Sequence, residues 1–354
     1  MLPHSTSGAK QSTAVVVSGL NFQSIQHMID RSASNVKDLR IALDGCYPSF
    51  WHTDLVMRSI RCSFRPKLVS RLSSHDLLIR GPFSRGSKRL RVTDAATQIW
   101  QQVKKSFYQP LTLHVSSENH GLPNYQSYTQ SECVYGIGHE IVNHPNYLRS
   151  PHWHNYLDFS LIGINGPDIW PRLGRPIQLS ELTRPIQWNK SSISKAAFVC
   201  SNLTNERAIL MNYVNDVIPV DGYGKAFNSK ISNHSQSGFV KRDLLANYQY
   251  CFCPENSLSA GYYTEKIPEA FVSGAIPITN CDSMVNIDFS PEAIINLQSF
   301  FHGSTFNFDT FKDFFLDLSR RDILLSTPLI SYDLADAGIK MLNFTSSLCT
   351  VSLS

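Results

Sequence analysis

The chain has 354 residues, of which 42% are hydrophobic and 17% charged, and its formal net charge is +4. This length is too great for one small core and predicts two domains of roughly 150 to 180 residues each. The composition is that of an ordinary globular protein, which excludes a disordered or collagen-like chain. No apolar run approaches the roughly 20 residues of a bilayer span, and the apolar run at 13–20 lacks the basic flank of a signal peptide.

The excess positive charge is concentrated between residues 57 and 91, in MRSIRCSFRPKLVSR and IRGPFSRGSKRLR. We favour a solvated basic face, and a site for an anionic membrane or a polyanion stays open. Nucleic-acid binding is not expected, because no aromatic-interleaved basic motif accompanies these charges. We therefore expect a cytoplasmic protein, with peripheral contact at the inner face of a membrane as an open alternative. The eight cysteines form no CxxC pair and are predicted to be free thiols.

The order of apolar runs along the chain predicts two α/β domains. Residues 1–12 are small and polar, and we expect them to be disordered. Residues 13–165 alternate apolar runs (TAVVVSGL, LRIALDG, HDLLIRG, LTLHVSS, ECVYGIG) with polar or helical stretches, which is typical of an α/β domain. The proline-rich stretch at 166–190 predicts a linker.

Residues 191–354 begin a second α/β series, with a strand in SKAAFVCSN, a helix in NERAILMNYVND and a strand in VIPVDGYG. Further on, EAIINLQSF is predicted to be a strand. The stretch DTFKDFFLDLSRRDILLS is predicted to be one helix, because its phenylalanines and leucines recur at helical spacing.

A polar loop, CPENSLSAGYYTEK at 253–266, separates a predicted strand (YQYCFC) from a helical stretch (IPEAFVSG). Thr264 is a suitable N-cap for that helix, and Gly274 can end it in a left-handed conformation. The next predicted strand, AIPIT, completes a βαβ unit. Its loop therefore lies at the carboxyl edge of the sheet, where ligands bind.

The side chains of this loop suit a diphosphate, such as that of a nucleotide sugar, because they combine acceptors, donors and the cation of Lys266. A capped surface helix with solvated Glu and Lys gives the same pattern, so both interpretations stay open. Common phosphate-loop, dinucleotide, hydrolase and zinc-protease motifs are absent from the sequence. His152 and His154 have the spacing of two ligands on a strand, but we favour polar surface near a cleft. No DxD pair occurs, and no metal site is predicted.

The stretch YQYCFCPENSLSAGYYTEKIPEAFVSGAIPI resembles the signature of the α-1,3/α-1,4-fucosyltransferase family, glycosyltransferase family 10. The segments FVCSNLTNER and VDGYGK upstream, and FSPEAIINLQSF downstream, are similar to further segments of that family. SSENHGLPNY and NYLRSP give a thinner match in the N-terminal half. Pro254 stands where the family usually has an aromatic residue, and residues 279–281 replace its usual Trp-Gly ending.

The resemblance implies a GT-B fold, with two Rossmann-like domains facing each other across a cleft. The N-terminal domain would take an oligosaccharide or glycolipid acceptor, and the C-terminal domain would bind GDP-fucose. The implied enzyme is an inverting hexosyltransferase that moves L-fucose from GDP-β-L-fucose to a hydroxyl, such as the 3-OH of GlcNAc or Glc in a lactosamine-like glycan. A lipopolysaccharide acceptor is among those left open.

The resemblance also implies roles for individual residues. Glu118 would be the general base, and Arg207 and Lys266 would stabilise the leaving diphosphate. The implied donor-binding residues are Asn256, Tyr262, Glu265, Lys225, Tyr223, Ser201 and Asn202, and the implied acceptor-binding residues are Asn119 and Arg149. No cofactor is required, and stimulation by Mn²⁺ or Mg²⁺ stays open.

Each of these roles has a purely structural alternative. Arg207 could instead be paired with a carboxylate at the surface. Glu118 could instead be an N-cap or turn residue. For the whole chain, the alternatives are a GT-B enzyme that uses another nucleotide sugar, and a catalytically silent glycan- or nucleotide-binding protein.

Overall fold

A computed structural model describes residues 36–84, 111–116, 133–166, 175–188, 193–228 and 237–353. The strands within these ranges are β1 Lys37–Asp44, β2 Phe64–Val69, β3 Leu77–Arg80, β4 Leu111–Val115, β5 Val134–Gly138, β6 Tyr147–Arg149, β7 Leu157–Asp158, β8 Ile177–Gln178, β9 Ile193–Val199, β10 Val220–Tyr223, β11 Tyr248–Phe252, β12 Ile276–Thr279, β13 Ile295–Asn296, β14 Phe301–His302 and β15 Thr305–Phe306. The α-helices are α1 Phe50–Thr53, α2 Leu55–Ser63, α3 Leu179–Leu182, α4 Asn205–Asn215, α5 Ser237–Leu245, α6 Lys266–Val272, α7 Phe308–Leu316, α8 Leu318–Ser326 and α9 Ala335–Ser352.

Two parallel sheets organise the molecule. The first has the strand order β2-β1-β3-β4-β5-β6, and the second has the order β10-β9-β11-β12-β13. Neighbouring strands are parallel throughout both sheets. Such sheets are usually covered on both faces, which explains the continuous apolar run of β12, all four residues of which are buried.

The predicted strands of both domains are confirmed wherever the chain is described, whereas the run at 13–20 lies outside the described residues. The single helix predicted at 309–326 is wrong. Asp317 interrupts it with an extended ψ of 108°, and its side chain caps α8 by accepting from the backbone N–H groups of Ser319 and Arg320. The strand predicted in EAIINLQSF is also shorter than expected, because a 3₁₀ turn, Leu297–Phe300, follows the two residues of β13.

The last helix, α9, packs against α2 and so returns the chain to the side of the first sheet. Ser59 of α2 and Thr345 of α9 share a buried hydrogen bond of 2.8 Å between their hydroxyl oxygens. Gly338 of α9 permits a close approach to the 3₁₀ turn Ser160–Ile162, since a Cβ atom there would lie 2.4 Å from the Ile162 side chain. These contacts place α9 beside the predicted N-terminal domain, although it belongs to the last residues of the chain. The domain limits drawn from the sequence stay a prediction.

A buried ion pair joins the carboxyl edge of the first sheet to the second half of the chain. Arg149, at the end of β6, donates from both terminal nitrogens to Asp288, at 2.7 and 2.8 Å. The Asp288 side chain is 2% exposed and the Arg149 side chain 21%. Arg149 Nε also donates to the carbonyl oxygen of His139 at 3.2 Å. These contacts bring residues 139 positions apart in the sequence into one interface.

Two further sequence predictions concern cysteines and membrane spans. All eight cysteines are free thiols, as predicted, and five of them are buried. Across the described ranges, no helix is both long and apolar enough to cross a membrane.

We expect Arg149→Met to lower the free energy of unfolding by about 3 to 5 kcal/mol, because it leaves the buried Asp288 carboxylate without its cation. Urea unfolding followed by circular dichroism measures this loss. The control is Arg65→Met, whose side chain is 69% exposed and 3.8 Å from Asp38, and which should change stability little. The double variant Arg149→Met with Asp288→Leu should recover most of the loss. A single variant as stable as the control would show that the pair contributes nothing.

Candidate functional site

The loop between β11 and α6 folds around the buried carboxylate of Glu255. Its oxygens accept from the Thr264 backbone N–H at 2.7 Å, from the Thr264 hydroxyl at 3.0 Å and from Lys266 Nζ at 2.7 Å. The Glu255 side chain is 2% exposed. A carboxylate this deeply buried requires such partners. The start of the loop is therefore tied to its end, where α6 begins.

The helix that follows the loop starts one residue later than the sequence predicts. Glu265, not Thr264, precedes the first residue of α6, and the Thr264 side chain bonds to Glu255 instead of capping the helix. Gly274 ends the helix as predicted, with φ of +86°. The Ala275 N–H donates to Ala270 and the Gly274 N–H to Phe271, which is a Schellman motif.

Lys266 and Glu265 are both held in their charged forms. Burial opposes charge on Lys266, but the carboxylates of Glu255 and Glu265 outweigh it and raise the pKa of the ammonium group. Burial likewise opposes charge on Glu265, but Lys266 and Lys241 lower its pKa to about 2. Lys266 also donates to the Thr264 hydroxyl at 2.8 Å, and its side chain is 17% exposed.

Arg207, in the first turn of α4, connects two loops at the carboxyl edge of the second sheet. Its two terminal nitrogens donate to the carbonyl oxygens of Asn202, after β9, at 2.8 Å and of Pro254, after β11, at 3.1 Å. The residue is 7% exposed. No carboxylate in the described part of the chain lies within 4.0 Å of its nitrogens, so the alternative of an ion-paired surface arginine is not observed there.

The remaining implied donor residues follow three neighbouring strands. Those with exposed side chains at this edge are Ser201, Asn202, Lys225 and Asn256. Tyr223, at the end of β10, is engaged elsewhere, because its hydroxyl lies 2.5 Å from that of Tyr248, which in turn donates to Asp221 at 2.9 Å. Through these hydrogen bonds, Tyr223 links the end of β10 to β11 at the carboxyl edge of the second sheet.

Tyr262 lies where the loop meets the first sheet. It is 3% exposed, and its ring packs edge-on against His139, with 5.4 Å between centroids. Gly261 beside it has φ of +77°, and a Cβ atom there would lie 2.4 Å from the carbonyl oxygen of His139. Gly261 and Tyr262 of the loop therefore contact His139, the residue that follows β5.

Of the residues implied for the acceptor side, only Arg149 belongs to the described part of the chain. Glu118 and Asn119 lie outside the described residues, beyond the end of β4. The Arg149 guanidinium is engaged with Asp288 and His139, so its contacts give an acceptor-binding role no support. Sequence reasoning also missed a small pocket at this edge. Its lining includes the polar side chains Asp54, Ser116, Ser150, His152 and Asn155.

The two histidines considered as metal ligands belong to a 3₁₀ helix, His152–Tyr156, and not to a strand. His154 is buried, contrary to the polar surface that we favoured, and burial together with Arg149 lowers its pKa to about 3. His152 Nδ1 lies 3.5 Å from the Asn155 amide nitrogen. Over the described ranges, no three His, Cys, Asp or Glu side chains are arranged to hold a metal ion.

Comparisons with known proteins bear on the family resemblance and on the fold. The model of the family described as "Glycosyltransferase family 10 (fucosyltransferase) C-term" matches residues 189–324. This segment is similar to the C-terminal domain of family 10 glycosyltransferases. It contains β9 to β13 and the residues that pack around Glu255 and Arg207. The predicted family resemblance is thereby confirmed over the second sheet.

A curated relative and several solved structures extend the comparison. The α-(1,3)-fucosyltransferase FucT of Helicobacter pylori is 32% identical over 144 residues, which are 39% of this chain and 28% of the relative. Crystal structures of α1,3-fucosyltransferase with GDP and with GDP-fucose match with TM-scores of 0.60 and 0.61, at 19% identity, over 90% of this chain and 92% of theirs. The likeness confirms the predicted GT-B fold beyond the family 10 domain.

We expect the Glu265→Gln variant to change how stability depends on pH. The pKa of Glu265 in the folded protein is about 2, below its ordinary value of 4.5, so the carboxylate stabilises the fold above that ordinary value and this contribution is lost as the pH falls through about 2. The stability difference between wild type and variant should therefore shrink between about pH 5 and pH 2. Urea titrations at stepped pH measure it, and a difference independent of pH would contradict the assignment.

Proposed function

We propose that the protein is a fucosyltransferase that moves L-fucose from GDP-fucose to a hydroxyl of an oligosaccharide. The family 10 match over residues 189–324 supports the reaction class. The name of the H. pylori relative and the GDP-fucose in one matching structure support the donor. The acceptor in this proposal is the 3-OH of GlcNAc or Glc in a lactosamine-like glycan, free or carried on a lipid such as lipopolysaccharide. A lipid-linked acceptor would call for peripheral contact with the inner face of a membrane.

The observation that carries the proposal is the charge arrangement around Lys266. Its side chain is 17% exposed at the carboxyl edge of the second sheet, and its ammonium group is held there by Glu255 and Thr264. Arg207 adds a second cation, bonded to backbone carbonyl groups and not to a carboxylate. Two fixed cations at one strand edge suit a diphosphate, because the negative charge of a leaving nucleotide needs compensation.

The proposed reaction is a single displacement with inversion. The acceptor hydroxyl oxygen attacks the anomeric carbon of fucose while the bond from that carbon to the β-phosphate oxygen breaks. The bonding electrons leave with GDP, and the hydroxyl proton passes to the Glu118 carboxylate. Such a carboxylate, with an ordinary pKa of about 4.3, is a weak base, so the proton moves as the new bond forms.

Lys266 and Arg207 act on the leaving group in this proposal. Charge on the diphosphate grows as the bond breaks, so fixed cations stabilise the transition state more than the bound donor. Asn256, Glu265 and Lys225 would contact the sugar, ribose or nucleotide. Tyr262 would contribute from the interface with His139, and Tyr223, Ser201 and Asn202 would shape the strand edge beneath the donor.

Lys266→Ala should lower the transfer rate by about 10²- to 10³-fold, as expected for the loss of one charge-stabilising group. Glu118→Gln should abolish most transfer while leaving GDP-fucose binding intact, since the amide cannot accept the proton. The measurement is acceptor-dependent GDP release with a pool of N-acetyllactosamine and lactose. GDP-mannose and UDP-galactose serve as competing donors. The matched control is Lys340→Ala, an exposed lysine of α9 paired with Asp336.

The outcomes separate the alternatives. Release from GDP-fucose alone, lost in both variants and kept in the control, supports the donor and the two roles. Preferred release from another nucleotide sugar identifies a different GT-B transferase. Binding of GDP-fucose without turnover across a broad acceptor panel identifies a catalytically silent binding protein, and no binding overturns the proposal.

A further inference from the structure

A second lysine, Lys241 on α5, lies close to two glutamates at the start of α6. Lys241 Nζ is 2.5 Å from Glu269 Oε2 and 3.8 Å from Glu265 Oε1. Helix α5 packs against α6, which carries Glu269, and the Lys241 side chain is 19% exposed. Sequence reasoning did not single out this residue, because nothing in FVKRDLL distinguishes it from a surface lysine.

Lys241 extends a row of alternating charges that ends at the loop. Glu265 interacts electrostatically with both Lys241 and Lys266, and Lys266 contacts Glu255 at 2.7 Å. The order is therefore Lys241, Glu265, Lys266, Glu255. Burial favours the neutral form of Lys241, but Glu269 and Glu265 outweigh it and raise its pKa, so Lys241 stays an ammonium group.

This row has a consequence for the charge of Lys266. One ammonium group cannot fully compensate two buried carboxylates and also an incoming diphosphate, because each contact draws on the same charge. Lys241 is a second cation near Glu265, so the compensation of that carboxylate does not rest on Lys266 alone. Lys241 is also the nearest cation to Glu269, which keeps a second one if Lys241 is replaced, because Arg242 Nε lies 3.8 Å from its Oε1.

We propose that Lys241 is a positioning residue for nucleotide-diphosphate binding: it holds Glu265 as a carboxylate in place and thereby leaves Lys266 directed at the diphosphate. This inference rests on the proposed function, and it assigns Lys241 no contact with the donor.

The charged groups around Glu265 come from three elements. Lys266 and Glu269 are on its own helix, Lys241 is on α5, and His152 contributes from the first half of the chain. Without Lys241, one of the two lysines that lower the pKa of Glu265 is lost while burial still raises it. The Glu265 carboxylate then becomes protonated at a higher pH, and nucleotide binding weakens as it does.

The test compares Lys241→Met and Lys241→Arg with wild type, using calorimetry of GDP binding and steady-state kinetics with GDP-fucose between about pH 4.5 and pH 8. We expect Lys241→Met to raise the GDP Kd and the donor KM about tenfold, which corresponds to about 1.4 kcal/mol, with kcat within about threefold. Its donor binding should weaken toward the acid end of this range more than that of wild type, whose Glu265 has a pKa of about 2. Lys241→Arg should restore most of the affinity and of the wild-type pH dependence. The control Lys340→Met, at an exposed lysine, should change neither the affinity nor the pH dependence.

Failure of this inference differs from failure of the proposed function. Wild-type protein that does not bind GDP overturns both. Wild-type protein that binds GDP, together with a Lys241→Met variant of unchanged Kd and pH profile, overturns the inference alone. Thermal unfolding accompanies each assay, with Lys241→Gln as a second substitution. If both neutral variants are unfolded, or if both lose kcat with an unchanged donor KM, Lys241 supports the fold or the chemistry and the positioning role is wrong.

Discussion

The burial of the Glu255 carboxylate is the constraint on which the candidate site depends. A carboxylate that is 2% exposed is unstable unless cations and donors surround it. Lys266 and Thr264 provide them, and both stand at the far end of the same loop. The loop must therefore close before the carboxylate is satisfied, and its closure places the ammonium group of Lys266 at the sheet edge. The contacts that stabilise the buried Glu255 carboxylate thus also orient Lys266, the candidate catalytic cation.

Arg207 extends this constraint to the neighbouring strand through backbone atoms. Its guanidinium bonds to the carbonyl oxygens of Asn202 and Pro254, so it holds together the loops after β9 and β11. Pro254 is a departure from the family pattern, which usually has an aromatic residue there. A carbonyl contact is independent of the side chain on that residue. The departure therefore leaves this contact of Arg207 intact, although it changes the side chain beside it.

Sequence reasoning succeeded where a pattern is local. The buried strands β9, β11 and β12 are apolar runs, and Gly274 ends a helix with a conformation that glycine adopts without strain. It failed where distant or competing contacts decide. Thr264 is a good N-cap by type, but the buried Glu255 nine positions away takes its hydroxyl. Nor does α9 carry a local sign that it packs on α2, since Ser59 and Thr345 are 286 positions apart.

The loop has two sides that depend on different parts of the molecule. Lys266 is held by Glu255 and Glu265, which belong to the same domain, whereas Tyr262 packs on His139 of the first sheet. The Arg149 and Asp288 pair holds the same interface together. Separating the two sheets would expose Tyr262 and leave the Glu255 and Lys266 pair unchanged. The Lys266 ammonium group is therefore fixed by the loop that follows β11, while the surroundings of Tyr262 exist only when this loop contacts the end of β5.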